Sequence, residues 1–156
     1  MKPRPEQAAD DGAIRRAALD LLARREHGTQ ELARKLAARG FDGDAVADAV
    51  AALAAEGLQS DARFAEQFVW SRYQRGSGPQ KIRAELRERG IGEGLIEHNI
   101  AALAEDWLAL LRAVREKRFG AAVPRDLRER SRQMRFLQQR GFTAEQIGRV
   151  FRDDEG

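Results

Sequence analysis

Apolar residues recur along this chain at intervals of three and four, the spacing that gathers them on one face of an α-helix. Ile14, Ala18, Leu21 and Leu22 form the first such face, which should run out near His27–Gly28. Leu32, Leu36 and Ala37 mark a second helix, stopped at Gly40, where glycine takes the left-handed conformation of a helix end. Val46, Val50 and Leu53 mark a third, stopped at Gly57, after which Ser60 or Asp61 caps a fourth carrying Phe64, Phe68, Val69 and Tyr73. Gly78-Pro79 opens a fifth, with proline at the first helical position, where its missing N–H costs nothing. Ile82 and Leu86 are its inward residues, and Ile96, Ile100 and Leu103 those of a sixth. Leu108, Leu111 and Val114 predict a seventh, and Phe119 to Pro124 an irregular connection to an eighth over Leu127 to Gln139. Thr143-Ala-Glu-Gln146 reads as a capping box ahead of Ile147, Val150 and Phe151. No stretch alternates with the period of a strand. The pattern is all-α, nine helices in three groups of three.

The groups are copies of one another. Gly28-Thr-Gln-Glu-Leu, ending at Arg39-Gly40-Phe41, is echoed by Gly78-Pro-Gln-Lys-Ile, ending at Arg89-Gly90-Ile91. A fainter echo begins at Arg130 and closes at Arg140-Gly141-Phe142, so the Arg-Gly pairs lie 50 and then 51 residues apart. A fixed period marks an array of small units, each unable to bury its apolar face alone. Three tandem three-helix repeats are therefore expected, at residues 14–60, 61–105 and 106–152, behind a polar, disordered lead over residues 1–12. Gly40, Gly90 and Gly141 are assigned as helix stops. Arrays of this kind work by surface along their length rather than through one deep pocket.

Composition narrows the function. The chain has 156 residues with no cysteine, which excludes disulfides and thiolate-bound zinc and fits a reducing compartment. No apolar run approaches the length of a membrane span, and the first residues lack the apolar core of a signal peptide. A soluble, cytoplasmic protein that does not act on membranes is the expectation. The formal net charge of +3 hides an uneven distribution. Between Asp42 and Glu66 six acids face one base, whereas between Arg112 and Arg140 ten bases face three acids. Such polarity speaks of partners and steering.

Candidate chemistry is sparse. His27 and His98 are far apart in sequence and match no metal or catalytic spacing, and His27 reads as a residue of a helix's last turn, where the dipole favours a cation. Gly76-Ser-Gly78-Pro follows no strand and leads to no Gly-Lys-Ser/Thr, so it reads as a helix break and not a phosphate loop. No catalytic residue, metal site or bound cofactor is expected, and the chain is not read as an enzyme. Binding residues are better represented. Lys81, Arg83, Arg87 and Arg89 surround Ile82 and Leu86, and Arg72, Tyr73 and Arg75 lie just upstream. Arginines pair with phosphate oxygens or with a partner's carboxylates. Arg125, Arg128, Arg132 and Arg135 make a second, denser patch. The helices that follow the first two Arg-Gly turns open with acid, in Phe41-Asp-Gly-Asp and Ile91-Gly-Glu-Gly, which argues against base reading by those units.

The order of these residues resembles the bacterial RecX family of recombination regulators. The resemblance rests on Ala18-Leu19-Asp-Leu21-Leu22-Ala-Arg24-Arg25-Glu26-His27 with Glu31-Leu32 and Leu36. It continues through Glu56-Gly57-Leu58-Gln-Ser-Asp61-Ala-Arg63-Phe64-Ala65, then Arg72 leading to Gly76-Ser-Gly78-Pro79 with Ile82, Glu85-Leu86 and Gly90-Ile91. It covers residues 14–103 closely and the third repeat loosely. It implies an elongated curved array of three-helix repeats that binds RecA and its DNA filament and inhibits RecA's ATPase, strand exchange and coprotease activities. ATP would belong to RecA, leaving this chain without a cofactor. On that reading Arg72, Tyr73, Arg75, Lys81, Arg83 and Arg87 face filament acids or DNA, Arg24 and Arg25 extend the surface, and a monomer suffices. Asp61, Arg63 and Phe64 match the family pattern and are taken as hinge and packing residues. The alternative is an arginine-rich helical module that binds single- or double-stranded DNA without touching RecA.

Overall fold

The computed structural model describes residues 5–155. Among these residues there are nine helices and no strand. In chain order they are α1 (Pro5–Arg24), α2 (Thr29–Ala38), α3 (Gly43–Ala55), α4 (Asp61–Gln74), α5 (Pro79–Glu88), α6 (Glu93–Ala102), α7 (Trp107–Phe119), α8 (Leu127–Gln139) and α9 (Ala144–Glu155). Local chemistry sets many of the ends. The Asp42 carboxylate accepts from the Ala45 N–H at 3.1 Å to start α3, and Asp126 accepts from the Glu129 N–H at 2.7 Å to start α8. Thr143 and Gln146 form the reciprocal capping box of α9, each bonding the other's backbone N–H at 3.0 Å. Gly40, Gly90 and Gly141 all have positive φ at the helix ends where the sequence places them.

Part of the stretch expected to be a disordered lead is helical. Residues 5–12 belong to α1, with Pro5 at its first position and Glu6 in its first turn, where the exposed N–H groups favour a negative charge. The part of the expected lead before Pro5 lies outside the described residues.

The helices are gathered into two compact units. One runs to Gln67 and takes in Arg89–Ile91; the other holds Phe68–Glu88 and the chain from Gly92 onward. The first is built on Ile14, Ala18, Leu21, Leu32, Leu36, Val46, Val50 and Leu53. In the second, Ile82, Leu86, Ile96 and Ile100 are buried, and so is a cluster of Leu111, Leu137, Phe142, Ile147, Val150 and Phe151. Each such side chain other than Ala18 contributes about 1.5–3 kcal/mol on burial, so these faces dominate the favourable terms. α7 departs from expectation. Its buried face is Trp107, Leu111 and Arg115, whereas Leu108 and Val114 are only half-buried.

Candidate interaction surface

Much of the charge read as available is used inside the protein. In the first unit the N-cap position of α2 is Gly28, which has no side chain to cap it. A Cβ on Gly28 would lie 3.3 Å from the tip of Ile91 and 3.4 Å from the Phe64 ring, so this position is closely packed. The cap comes from elsewhere in sequence. Asp61 accepts from the Thr29 N–H at 2.8 Å, from the Thr29 hydroxyl at 3.1 Å and from Gln59 at 3.0 Å. Ser60, and not Asp61, caps α4, accepting from the Arg63 N–H at 3.2 Å. Arg63 donates to Glu26 at 2.8 Å and to the Gly57 carbonyl at 2.7 Å, while Phe64 is 4% exposed.

His27 lies beyond the end of α1 and is buried beneath this joint. Lys35 donates to its Nε2 at 3.0 Å, so the ring's proton sits on Nδ1 and goes to the Arg25 carbonyl at 3.0 Å. Burial, followed by the nearby Arg25 and Lys35 charges, pushes the imidazole below its ordinary pKa. The expected cation at a helix end is therefore a neutral ring in a packed turn, because desolvation outweighs the dipole.

The second unit closes the equivalent joint with backbone. The Gly78 N–H donates to the Arg140 carbonyl at 2.7 Å, and the Gln80 N–H to the Gly141 carbonyl at 2.8 Å. Gly141 has φ +101°, and a Cβ there would sit 2.5 Å from Lys81 Cβ and 2.8 Å from Lys81 N. Gly76 and Gly78 are buried at the same crossing, and the Arg140 guanidinium reaches back to the Arg75 carbonyl at 2.8 Å, satisfying an orphan acceptor at the end of α4. Gly141 is thus more than a helix stop. It is where two segments of backbone meet.

The arginines expected to form the main binding patch are mostly paired. Arg72 bonds Glu85 at 3.0 Å and lies 4.5 Å over the Phe68 ring. Arg83 makes two bonds to Glu97, at 2.8 and 3.1 Å, and Arg87 two to Glu93, at 2.6 and 3.2 Å. Arg25 does the same with Glu31, at 2.9 and 2.8 Å. Burial pushes the Glu31 carboxyl up, but the bond and charge of Arg25 outweigh it and the net shift is downward. Tyr73 is half-buried and donates to the Asp106 carbonyl. Of the residues expected in this patch, Arg24, Arg75 and Lys81 are exposed and hold no ion pair with any described residue.

The third repeat sorts its bases differently. Arg115 is 2% exposed, bonds Asp154 at 2.6 Å and lies 5.2 Å over the Phe151 ring, so it is a core residue. Arg112 reaches Asp153 and Asp154, and Arg130 pairs with Glu155. Arg132 pairs with Glu129 at 2.9 Å, and that bond, with one from Gln133, draws the Glu129 carboxyl below its usual range. Lys117, Arg118, Arg125, Arg128 and Arg135 are exposed and hold no ion pair with any described residue.

Most of these free bases share a surface. One groove is lined by Arg118, Phe119, Arg128, Arg132, Arg135 and Phe136, together with the acids Asp126 and Glu129. A second, lined by Arg75, Lys117, Arg118, Phe136 and Arg140, shares Arg118 and Phe136 with the first. Phe119 and Phe136 meet edge to face at 5.3 Å, and Arg118 lies 5.5 Å over Phe136. The result is a basic surface on α7 and α8 with aromatic rings in its floor. Arg118, Phe119 and Phe136 were not among the binding residues expected from sequence. The spacing of Arg128, Arg132 and Arg135, one helical face, was the available signal. Among the described residues no group of acidic, histidine or cysteine side chains is placed to hold a metal, and no helix is long and apolar enough to cross a membrane.

Comparison with known proteins places this arrangement. Models of the first, second and third three-helix domains of RecX match residues 15–53, 60–98 and 104–151. The chain is 56% identical over 142 residues to a Regulatory protein RecX of Halorhodospira halophila (strain DSM 244 / SL1), covering 91% of this chain and 88% of the relative. It is 46% identical over 140 residues to that of Ectopseudomonas mendocina (strain ymp), covering 90% and 93%. A crystal structure of RecX from Lactobacillus salivarius superposes with a TM-score of 0.81 at 20% identity, over 95% of this chain and 98% of that one. The all-α fold of three tandem three-helix domains is common to them.

Proposed function

The chain belongs to the RecX family of regulatory proteins, and on that premise we propose that it regulates homologous recombination and DNA repair by binding RecA and its DNA filament. In this reading it inhibits RecA's ATPase, strand exchange and coprotease activities, acts in the cytoplasm as a monomer, and performs no chemistry of its own. The observation that carries the reading to a site is the set of unpaired bases around Arg118, Arg128 and Arg135 on α7 and α8. A filament coated with phosphates and acidic side chains attracts such a face over a Debye length, about 10 Å in 0.1 M salt. On contact, each guanidinium offers a forked pair of donors to phosphate or carboxylate. Inhibition follows if a filament occupied along this face cannot add or exchange subunits. Arg25, Arg83 and Arg87 contribute less, since a partner must first displace Glu31, Glu97 and Glu93.

The test is RecA's DNA-dependent ATPase, measured with this protein far below the concentration of DNA sites. Inhibition at such levels is expected, and its loss in an Arg118→Glu, Arg128→Glu, Arg135→Glu variant that folds normally. A requirement to coat the DNA would instead favour an arginine-rich DNA-binding module that never touches RecA. The rings of Phe119 and Phe136 in a basic groove favour that second reading, because a base of a single strand can stack on either ring once it displaces the Arg132 or Arg118 guanidinium lying over it.

A further inference from the structure

One surface of the second unit sets an exposed tryptophan and a half-buried tyrosine beside negative charge. Trp70 on α4 is 52% exposed. It stacks on Tyr73 with ring centroids 5.8 Å apart and planes within 9°. Tyr73 meets the edge of Trp107 at 5.4 Å, and Trp107 is buried with its indole N–H held by the Ile100 carbonyl at 3.0 Å. The exposed ring is therefore backed by a series of rings anchored in the core, and little side-chain freedom is left to lose on binding.

The charge beside these rings is negative and uncommitted. The Tyr73 hydroxyl donates to the Asp106 carbonyl at 3.3 Å. Asp106 holds the N-cap position of α7, yet its carboxylate accepts no capping bond and no ion pair with a described residue. Burial, then the Asp106 charge, raises the pKa of the Tyr73 hydroxyl, which agrees with a carboxylate close to the ring. Glu105 is exposed next to it. The face of an aromatic ring attracts a cation, tryptophan most strongly and guanidinium most often. The Asp106 carboxylate beside Tyr73 complements that cation and repels a phosphate.

We infer that Trp70, Tyr73 and Asp106 form a docking point for an arginine side chain of a protein partner. The guanidinium lies flat on Trp70 and turns its N–H fork toward Asp106. Trp and Arg are the residues most often found to dominate protein interfaces, and here the pair is divided between the two partners. The site is opposite in sign to the basic face and does not depend on it or on RecA.

Hexaarginine is the probe. The full chain is titrated while tryptophan emission is read, in parallel with Trp70→Phe, so that the difference belongs to Trp70. Saturable quenching of that difference is expected, weakened about two- to fivefold by Asp106→Asn. A response to oligothymidylate in place of hexaarginine, a response to neither probe, or an Asp106→Asn titration identical to the parent's overturns the inference. RecA inhibition, measured on the same variants, is unaffected by any of these outcomes if it runs through the basic face alone.

Discussion

The two units join equivalent helices by different means. In the first, the start of α2 is held by side chains, with Asp61 on Thr29, Gln59 on Asp61, and Arg63 on Glu26. In the second, Pro79 stands where Thr29 does and has no N–H to cap, and backbone bonds from Gly78 and Gln80 to the Arg140-Gly141 turn replace the carboxylate. The difference bears on function. A joint closed by charged side chains uses up charge, and the first unit also pairs Arg15 with Glu56 and Arg25 with Glu31. The joint closed by backbone draws on one base, Arg140 on the Arg75 carbonyl, and although the second unit also pairs Arg83, Arg87, Arg112 and Arg130, its Lys117, Arg118, Arg128 and Arg135 on α7 and α8 hold no ion pair with any described residue. Close approach of glycines thus supplies cohesion in that unit without drawing on the residues proposed to meet a partner.

The sharpest way to break this comparison is to add one methyl group to each joint. Gly141→Ala should cost about 3 kcal/mol or more, from a strained positive φ together with collision against the backbone of Lys81 and Gly78. Gly90→Ala carries the strain but meets only the end of the flexible Gln30 side chain, and should cost about 1–2 kcal/mol. Urea unfolding of the two variants measures both. Equal destabilisation would mean that the close backbone approach in the second unit adds nothing.

Removing the remote cap is the next largest change. Asp61→Ala should destabilise the protein by about 2 kcal/mol, since it strands the Thr29 N–H and leaves Gln59 only the His27 carbonyl to donate to. Hydrogen exchange should localise the effect to the first turn of α2. Protection unchanged at Thr29 would remove Asp61 from the joint.

The use of charge is tested by paired variants. Reversing Arg118, Arg128 and Arg135 should weaken binding to the RecA filament or to DNA by about tenfold or more. It should also flatten the salt dependence, by roughly 0.7–0.9 in log–log slope for each phosphate no longer neutralised. Reversing Arg25, Arg83 and Arg87 should do less. If the second set has the larger effect, intramolecular pairing is no guide to the binding face.

The smallest effect is set by pH. His27 has a folded pKa below its unfolded value of 6.5, so the folded state resists a proton that the unfolded chain accepts. The stability linked to it is complete above 6.5 and is lost as pH falls from there through the lower folded value. The unfolding midpoint should therefore drop between about pH 7.5 and 5.5, and His27→Gln should flatten that slope. A slope unchanged in His27→Gln would place the titration elsewhere.

The sequence by itself determined what depends on neighbours along the chain. The helical period of Leu32 and Leu36 or Ile82 and Leu86, the glycine at each Arg-Gly turn, and the Thr143–Gln146 capping box are local, because a helix and its ends are set by residues within a turn or two. The repeat was legible for the same reason. The pairing of each charge was not. Arg115 and Arg128 both read as bases on a helix, yet one is buried against Phe151 and Asp154 and the other lies unpaired in a groove. Asp61 reads as a cap for its own helix and instead caps one that begins 32 residues earlier. Those assignments belong to the tertiary structure alone, because a salt bridge or a cap is decided by a few ångströms between side chains that only the packing of the helices brings together.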